Sequence, residues 1–160
     1  MNFKVFIRNV FIVMVSTLIL SACATKTTTL PNQIQGDVYT GTDTVEYLAK
    51  GVPDRVFFAT NESVLTTASR DTLRKQAAWM RANDSLSFTI EGHADERGTR
   101  EYNLALGERR ANAAKDYLMT YGISGNRLSV ISYGKERPVN SGSNPLAWSQ
   151  NRRSVTVKAN

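Results

Sequence analysis

Residues 86–122 read LSFTIEGHADERGTREYNLALGERRANAAKDYLMTYG, and this stretch decides the fold. Its first five residues, Leu86-Ser87-Phe88-Thr89-Ile90, alternate apolar and polar side chains, which is the period of a half-buried strand. A polar loop follows from Glu91 to Thr99. Asn103 then opens the longest helical segment of the chain, with Leu104, Ala111, Ala114 and Leu118 on one face and Gly122 placed to terminate it. Upstream, Arg55-Val56-Phe57-Phe58 is a β-rich run entered from Pro53, after a short apolar turn at Val45 to Ala49. Thr66 or Thr67 caps a helix that carries Leu73, Ala77 and Met80 at helical spacing and stops at Asn83-Asp84-Ser85. Downstream, Leu128 to Tyr133 and Val155-Thr156-Val157 supply two more strands. The order β-α-β-α-β-β predicts an α+β sandwich, with helices packed on one face of a small mixed sheet.

The whole chain has 160 residues, 41% hydrophobic and 21% charged, which allows one ordinary globular domain. Four Pro and ten Gly are too few for a fibrous or wholly disordered chain. One Cys excludes an intramolecular disulfide, and one Cys with one His argues against a zinc or haem site. A Ser-His-Asp or Cys-His engine would run through His93 alone, and no nucleophile or orienting partner stands near it in sequence. Lys+Arg 20 against Asp+Glu 14 gives a net charge of +6, which points to an anionic partner: nucleic acid, a phospholipid surface or an acidic wall polymer.

The N-terminus narrows that choice. Lys4 and Arg8 precede a mostly apolar run from Val10 to Leu20, too short for the roughly 20 residues a bilayer-crossing helix needs, so the segment reads as an export signal. Leu20-Ser21-Ala22-Cys23 then resembles the lipobox of bacterial lipoproteins. That resemblance makes Cys23 the new N-terminus, bearing an S-diacylglycerol and an N-acyl chain such as palmitate, and it accounts for the lone thiol. Each buried CH₂ contributes about 0.8 kcal/mol, so several chains hold permanently. Ala24 in place of Asp resembles lipoproteins sent to the outer membrane. Without residues 1–22 the chain keeps 18 basic and 14 acidic residues, net +4. Residues 23–42 read as the lipidated Cys and a flexible tether with a span of about 25 Å, and residues 43–160 as the domain.

Four separated motifs carry a further resemblance: Glu91-Gly-His-Ala-Asp-Glu-Arg-Gly-Thr99, Tyr102-Asn-Leu-Ala-Leu-Gly-Glu-Arg-Arg-Ala-Asn112, Ser132-Tyr-Gly-Lys-Glu-Arg-Pro138 and Asn151-Arg-Arg-Ser-Val155. Over roughly residues 53–158 they resemble the OmpA-like peptidoglycan-binding domain, in the version carried by peptidoglycan-associated lipoproteins. The His-Ala-Asp-Glu-Arg form of the loop tilts the likeness toward those lipoproteins over porin tails and flagellar stators. The resemblance implies a non-enzymatic link between outer membrane and wall. The ligand is then the meso-diaminopimelate of the peptidoglycan stem peptide, and no cofactor or metal is involved. It further implies work with the Tol system in envelope integrity and cell division, including the propeller protein TolB, which competes with peptidoglycan for overlapping surface.

The free end of meso-diaminopimelate carries an ammonium and a carboxylate on one carbon, which calls for an anion and a planar cation a few ångströms apart. Asp95 and Arg110 match the family's two ligand-clamping positions: the carboxylate accepts from the ammonium, and the guanidinium grips the ligand's carboxylate by two parallel hydrogen bonds. By the same resemblance Asn103, two helical turns before Arg110, joins the site, and Thr99 offers a hydroxyl. Plainer roles stand beside these. Asp95 can cap a turn or pair with Arg97, Arg109 reads as a surface contact, His93 as a structural loop residue, and Arg152 and Arg153 either pack against the binding face or touch ligand. After Phe57-Phe58 many relatives carry an acid, where this chain has Ala59-Thr60-Asn61, with Asn61 as a neutral substitute. Two other classes fit less well. A glycosidase built on Glu91, Asp95 or Glu96 lacks a recognisable cleft, and a nucleic-acid binder using Arg109 and Arg110 conflicts with the export signal.

Replacing Cys23 with Ser is expected to move the protein from the membrane fraction to the soluble periplasm, read by fractionation and by loss of metabolic acyl label. Continued membrane fractionation with an unlabelled N-terminus would count against lipidation.

Overall fold

A computed structural model describes residues 34 to 159. The export signal, the lipobox with Cys23 and the tether before Ile34 lie outside the described residues. The frame is a four-stranded sheet of β5 (Arg55–Phe57), β6 (Phe88–His93), β7 (Leu128–Gly134) and β8 (Arg153–Lys158), in the order β5-β8-β6-β7. β8 runs antiparallel to both its neighbours, and β6 and β7 are parallel, so the sheet is mixed as expected. Parallel neighbours need a crossover, and helix α2 (Arg100–Thr120) supplies it between β6 and β7. Helix α1 (Thr67–Ala82) lies between β5 and β6 and packs on α2. Side chains alternating along the strands (Val56, Phe88, Ile90, Leu128) meet Leu73, Ala77 and Met80 of α1 and Ala111, Ala114 and Leu118 of α2 in one core. Each large apolar side chain buried there contributes about 1.5–3 kcal/mol.

Local signals set the boundaries. Thr66 caps α1, its hydroxyl accepting from the Ser69 amide at 3.1 Å. α2 begins three residues before Asn103, because Thr99 provides the cap and accepts from the Tyr102 amide at 3.2 Å. At its other end Gly122 N–H donates to Met119 and Ile123 N–H to Leu118, the paired bonds that close a helix C-terminus. Leu104 is half-buried; the buried stripe of α2 is instead Asn103, Leu106, Gly107, Arg110, Ala111, Ala114 and Leu118. β6 runs on to His93, so Glu91, Gly92 and His93 belong to the sheet and the loop shrinks to residues 94–99.

One helix and two hairpins exceed the expected order. Helix α3 (Pro145–Asn151) stands between β7 and β8, capped by Asn144 and started by Pro145. β3 (Tyr47–Ala49) and β4 (Val52–Pro53) form a hairpin over Val45 to Ala49 and beyond. β1 (Ile34–Gln35) and β2 (Val38–Tyr39) form another. This last one corrects the tether reading for residues 34–39. Tyr39 is buried with its ring edge-on to Phe57, centroids 4.8 Å apart, a contact worth about 0.5–1.5 kcal/mol beyond the area it covers. No helix among the described residues is long and apolar enough to cross a membrane.

β6 and α2 touch backbone to backbone at Gly92 and Gly107: a Cβ on Gly92 would lie 1.8 Å from the Gly107 carbonyl oxygen. Gly92→Ala therefore forces strand and helix apart and is expected to cost about 3 kcal/mol or more, read as a lowered urea midpoint. An unchanged midpoint would contradict the close approach.

Candidate functional site

The loop between β6 and α2 is held at every turn by side chains. Ala94 N–H donates to the Gly134 carbonyl at 2.8 Å, Lys135 Nζ donates to the carbonyls of Glu96 and Gly98 at 3.2 and 2.8 Å, and Asn103 Nδ2 donates to the Arg97 carbonyl at 2.8 Å. Glu96 accepts from Trp148 Nε1 at 2.8 Å and from the Ser143 hydroxyl, which joins the loop to α3. Asp95 is 7% exposed at the centre. Its Oδ1 accepts from the Arg97 amide at 3.1 Å and Nε at 3.0 Å, and its Oδ2 from Arg97 Nη2 at 2.7 Å and Arg152 Nη1 at 3.2 Å. Four donors fill the roughly four lone-pair sites of a carboxylate. Burial acts to raise its pKa, but the hydrogen bonds from Arg97 and Arg152 outweigh it and hold Asp95 below the usual carboxylate range.

Arg110 comes from α2 beneath this loop. It occupies the stripe between Gly107, Ala111 and Ala114, and is wholly buried, whereas Arg109 is exposed. Its guanidinium donates to three main-chain carbonyls: Nε to Glu62 at 2.8 Å, Nη1 to His93 at 2.8 Å and Nη2 to Ala59 at 2.9 Å. Burial, then the charge of Arg152, lowers its pKa to about 10, with the Asp95 charge opposing the fall. It stays cationic at neutral pH, and two of its five N–H groups are left over.

The structure thus gathers Asp95, Arg110 and Asn103 at one place, each with an internal partner. Asn61 sits nearby on the exposed turn after β5, at φ 58°. The Thr99 hydroxyl is engaged as the α2 cap. Both plainer readings of Asp95 are seen: it accepts from the Arg97 amide two residues on, as a turn cap does, and pairs with the Arg97 guanidinium. Arg152 packs: it is 2% exposed and donates to Asp95, to Phe58 O at 3.1 Å and to Asp37. Arg153 also packs, donating to the Arg137 carbonyl at 3.1 Å, with burial lowering its pKa to about 10.

Sequence reading gave no site role to four neighbours. Asp37 lay in the presumed tether. Thr60 donates its amide to Asp37 Oδ2, and its hydroxyl accepts from Arg97 Nη2 at 3.2 Å. Trp148 lies 4.4 Å from the Arg97 guanidinium. Arg97 itself, 42% exposed, covers the loop. The Arg97 pairing was legible from its place two residues after Asp95; the other three depend on contacts spanning 37 residues or more, apart from the 23 between Asp37 and Thr60. His93, whose carbonyl receives Arg110, has its ring 2% exposed. Burial first, then the charges of Arg153, Arg55 and Arg137, lowers its pKa to about 3.

A family profile described as the OmpA family matches residues 57–152. A protein named peptidoglycan-associated lipoprotein from Rhizobium meliloti (strain 1021) is 48% identical over 152 residues, 92% of this chain and 86% of that protein. One of the same name from Brucella melitensis is 47% identical over 88% of this chain and 86% of its own length. Among solved structures, the peptidoglycan-associated lipoprotein from Burkholderia pseudomallei matches with a TM-score of 0.65 at 34% identity, covering 66% of this chain and 90% of that one. The C-terminal domain of Helicobacter pylori MotB matches with a TM-score of 0.62 at 18% identity over 67% and 84% of the two chains, a likeness of fold alone.

His93 gives the fold a pH dependence. The unfolded chain takes up this proton near 6.5 and the folded chain only near 3, so between those values the unfolded state binds more protons and stability falls as pH falls. The slope is about 1.4 kcal/mol per pH unit at most. Asp95 adds a separate loss at lower pH, as it protonates below 3.8. Urea midpoints at pH 7 and pH 4.5 are expected to differ in the parent chain and to converge in His93→Gln. An equal difference in both would place the pH dependence elsewhere.

Proposed function

The chain belongs to the OmpA family, and we propose that it is a peptidoglycan-associated lipoprotein. On this reading lipid on Cys23 anchors it in the outer membrane, and the domain holds the wall noncovalently through the meso-diaminopimelate end of the stem peptide. One observation carries the reading: a buried, ionised Asp95 lies beside three guanidiniums, two of which it touches. That is the charge pattern an ammonium and a carboxylate on one carbon require. The ligand's ammonium replaces Arg97 on Asp95. Arg97 is half-exposed and swings into water at little cost, so one charge-assisted pair is exchanged for another. Arg110 stays on its carbonyls and contributes its positive charge beneath the ligand's carboxylate. Asn103 fixes the loop through Arg97 O, Thr99 fixes the start of α2, and Asn61 borders the site. Work with TolB and the Tol system is part of the same proposal and rests on the family likeness.

The geometry gives less to the alternatives. Asp95 and Glu96 are both held below the usual carboxylate range, which leaves neither as the protonated acid a glycosidase uses. Arg110 is spent inside the fold and offers no phosphate contact.

Titration of the full-length chain with a stem peptide ending in free meso-diaminopimelate, beside the Lys analogue, tests the proposal. Binding of the first alone is expected. Asp95→Asn is expected to weaken binding about 10- to 100-fold, the worth of a charged hydrogen bond, with circular dichroism confirming a folded domain. Undiminished binding by the folded variant would remove the Asp95 clamp.

A further inference from the structure

The β1–β2 hairpin places one half-exposed carboxylate against the buried guanidinium of Arg152. Gln35 pairs with Val38 across a two-residue tip, Gly36-Asp37, with Gly36 at φ 64°, a backbone state glycine adopts without strain. The tip points Asp37 at the site. Asp37 Oδ1 accepts from Arg152 Nη2 at 2.8 Å, its carbonyl accepts from the same nitrogen, and its Oδ2 accepts from the Thr60 amide. Arg152 is the residue whose Nη1 holds Asp95, and Thr60 is the residue whose hydroxyl receives Arg97. The cradle for Asp37 is therefore one wall of the Asp95 site: a buried guanidinium edge and a main-chain N–H, both directed at one carboxylate.

We propose that the Asp37 carboxylate is an internal occupant of the anion side of this site, and that a ligand carboxylate enters the Arg152–Thr60 cradle by displacing the hairpin tip. The inference rests on the proposed function and goes further, because it assigns the cradle to the ligand's carboxylate and makes the segment leading to the anchor a competitor for it. Two features make the occupant exchangeable. The Asp37 side chain is 52% exposed although Arg152 is 2% exposed, so the acid leaves into water while the guanidinium stays fixed. Each strand of the hairpin has two residues, and such a ribbon has little stability of its own. Tyr39, packed on Phe57, keeps the tip near when it lifts. Arg97 on Asp95 and Asp37 on Arg152 together reproduce the ammonium and the carboxylate of the ligand, and they converge on Thr60.

Occupancy of the closed state lowers apparent affinity by the fraction of molecules that are open. Isothermal titration of the full-length chain with the meso-diaminopimelate stem peptide tests this in the parent, Asp37→Asn and Asp37→Ala. Both variants are expected to bind about five- to tenfold tighter than the parent. Equal or weaker binding by variants that fold like the parent overturns the inference while leaving the functional reading in place, and weaker binding would make Asp37 an acid that contacts the ligand. Binding by neither parent nor variants removes the functional reading, and the displacement with it.

Discussion

The buried guanidinium of Arg152 is the interaction on which the rest of this molecule turns. Removing a charge from water costs several kcal/mol unless it is paired and hydrogen-bonded throughout. Arg152 meets that condition only if three distant segments come to it: Phe58 at the end of β5, Asp95 in the loop after β6 and Asp37 at the hairpin tip, separated from it in sequence by 94, 57 and 115 residues. The Phe58 amide answers by donating to the Arg152 carbonyl at 2.9 Å. A lysine could not serve in its place, since one ammonium on a flexible stem cannot present a planar fork to three fixed acceptors. The site is assembled as a consequence of satisfying this one side chain.

Arg110 solves the same problem differently. Its acceptors are carbonyls and not carboxylates, so it adds net positive charge beneath the loop without cancelling it. Two buried guanidiniums so placed repel, and each bears on the other's surroundings: the charge of Arg152 lowers the pKa of Arg110, and that of Asp95 raises it. The ionised Asp95 is what makes the arrangement tolerable. This gives a physical reason for an acid at position 95 that is separate from ligand binding and compatible with it.

Much of the frame was legible because it rests on local rules. The alternation at Phe88 and Ile90, the Thr66 cap and Gly122 each announce an element within a few residues. What escaped is either short or long-range. α3 has seven residues, less than two hydrophobic repeats, and only Asn144-Pro145 marked it. The β1–β2 hairpin has two residues per strand, too few for alternation to register, and Gly36-Asp37 was its one signal. Arg110 was found by family likeness, but its burial was not, because a pattern that counts Arg as polar skips it. Its position among Gly107, Ala111 and Ala114 on the buried stripe was a geometric clue. The partners of Arg152 could not be read at all, since no local pattern links residues 57 to 115 positions apart.

A site whose charged side chains all have internal partners says something about the strength of what it binds. Each nitrogen of the Arg152 guanidinium and both oxygens of Asp95 have a partner within the chain, so a zwitterionic ligand makes no pair that was wholly missing beforehand. On the proposed reading it exchanges Arg97 and Asp37 for its own ammonium and carboxylate. The net gain is the difference between similar interactions, together with the entropy of releasing two half-exposed side chains. Such a site never leaves a buried charge orphaned when empty, which keeps the fold intact between encounters. It also favours modest affinity and ready release. On the proposed reading, in which a lipid-anchored domain holds a polymer through many copies acting together, modest individual strength is sufficient, because multivalent attachment multiplies weak links without any one of them becoming permanent.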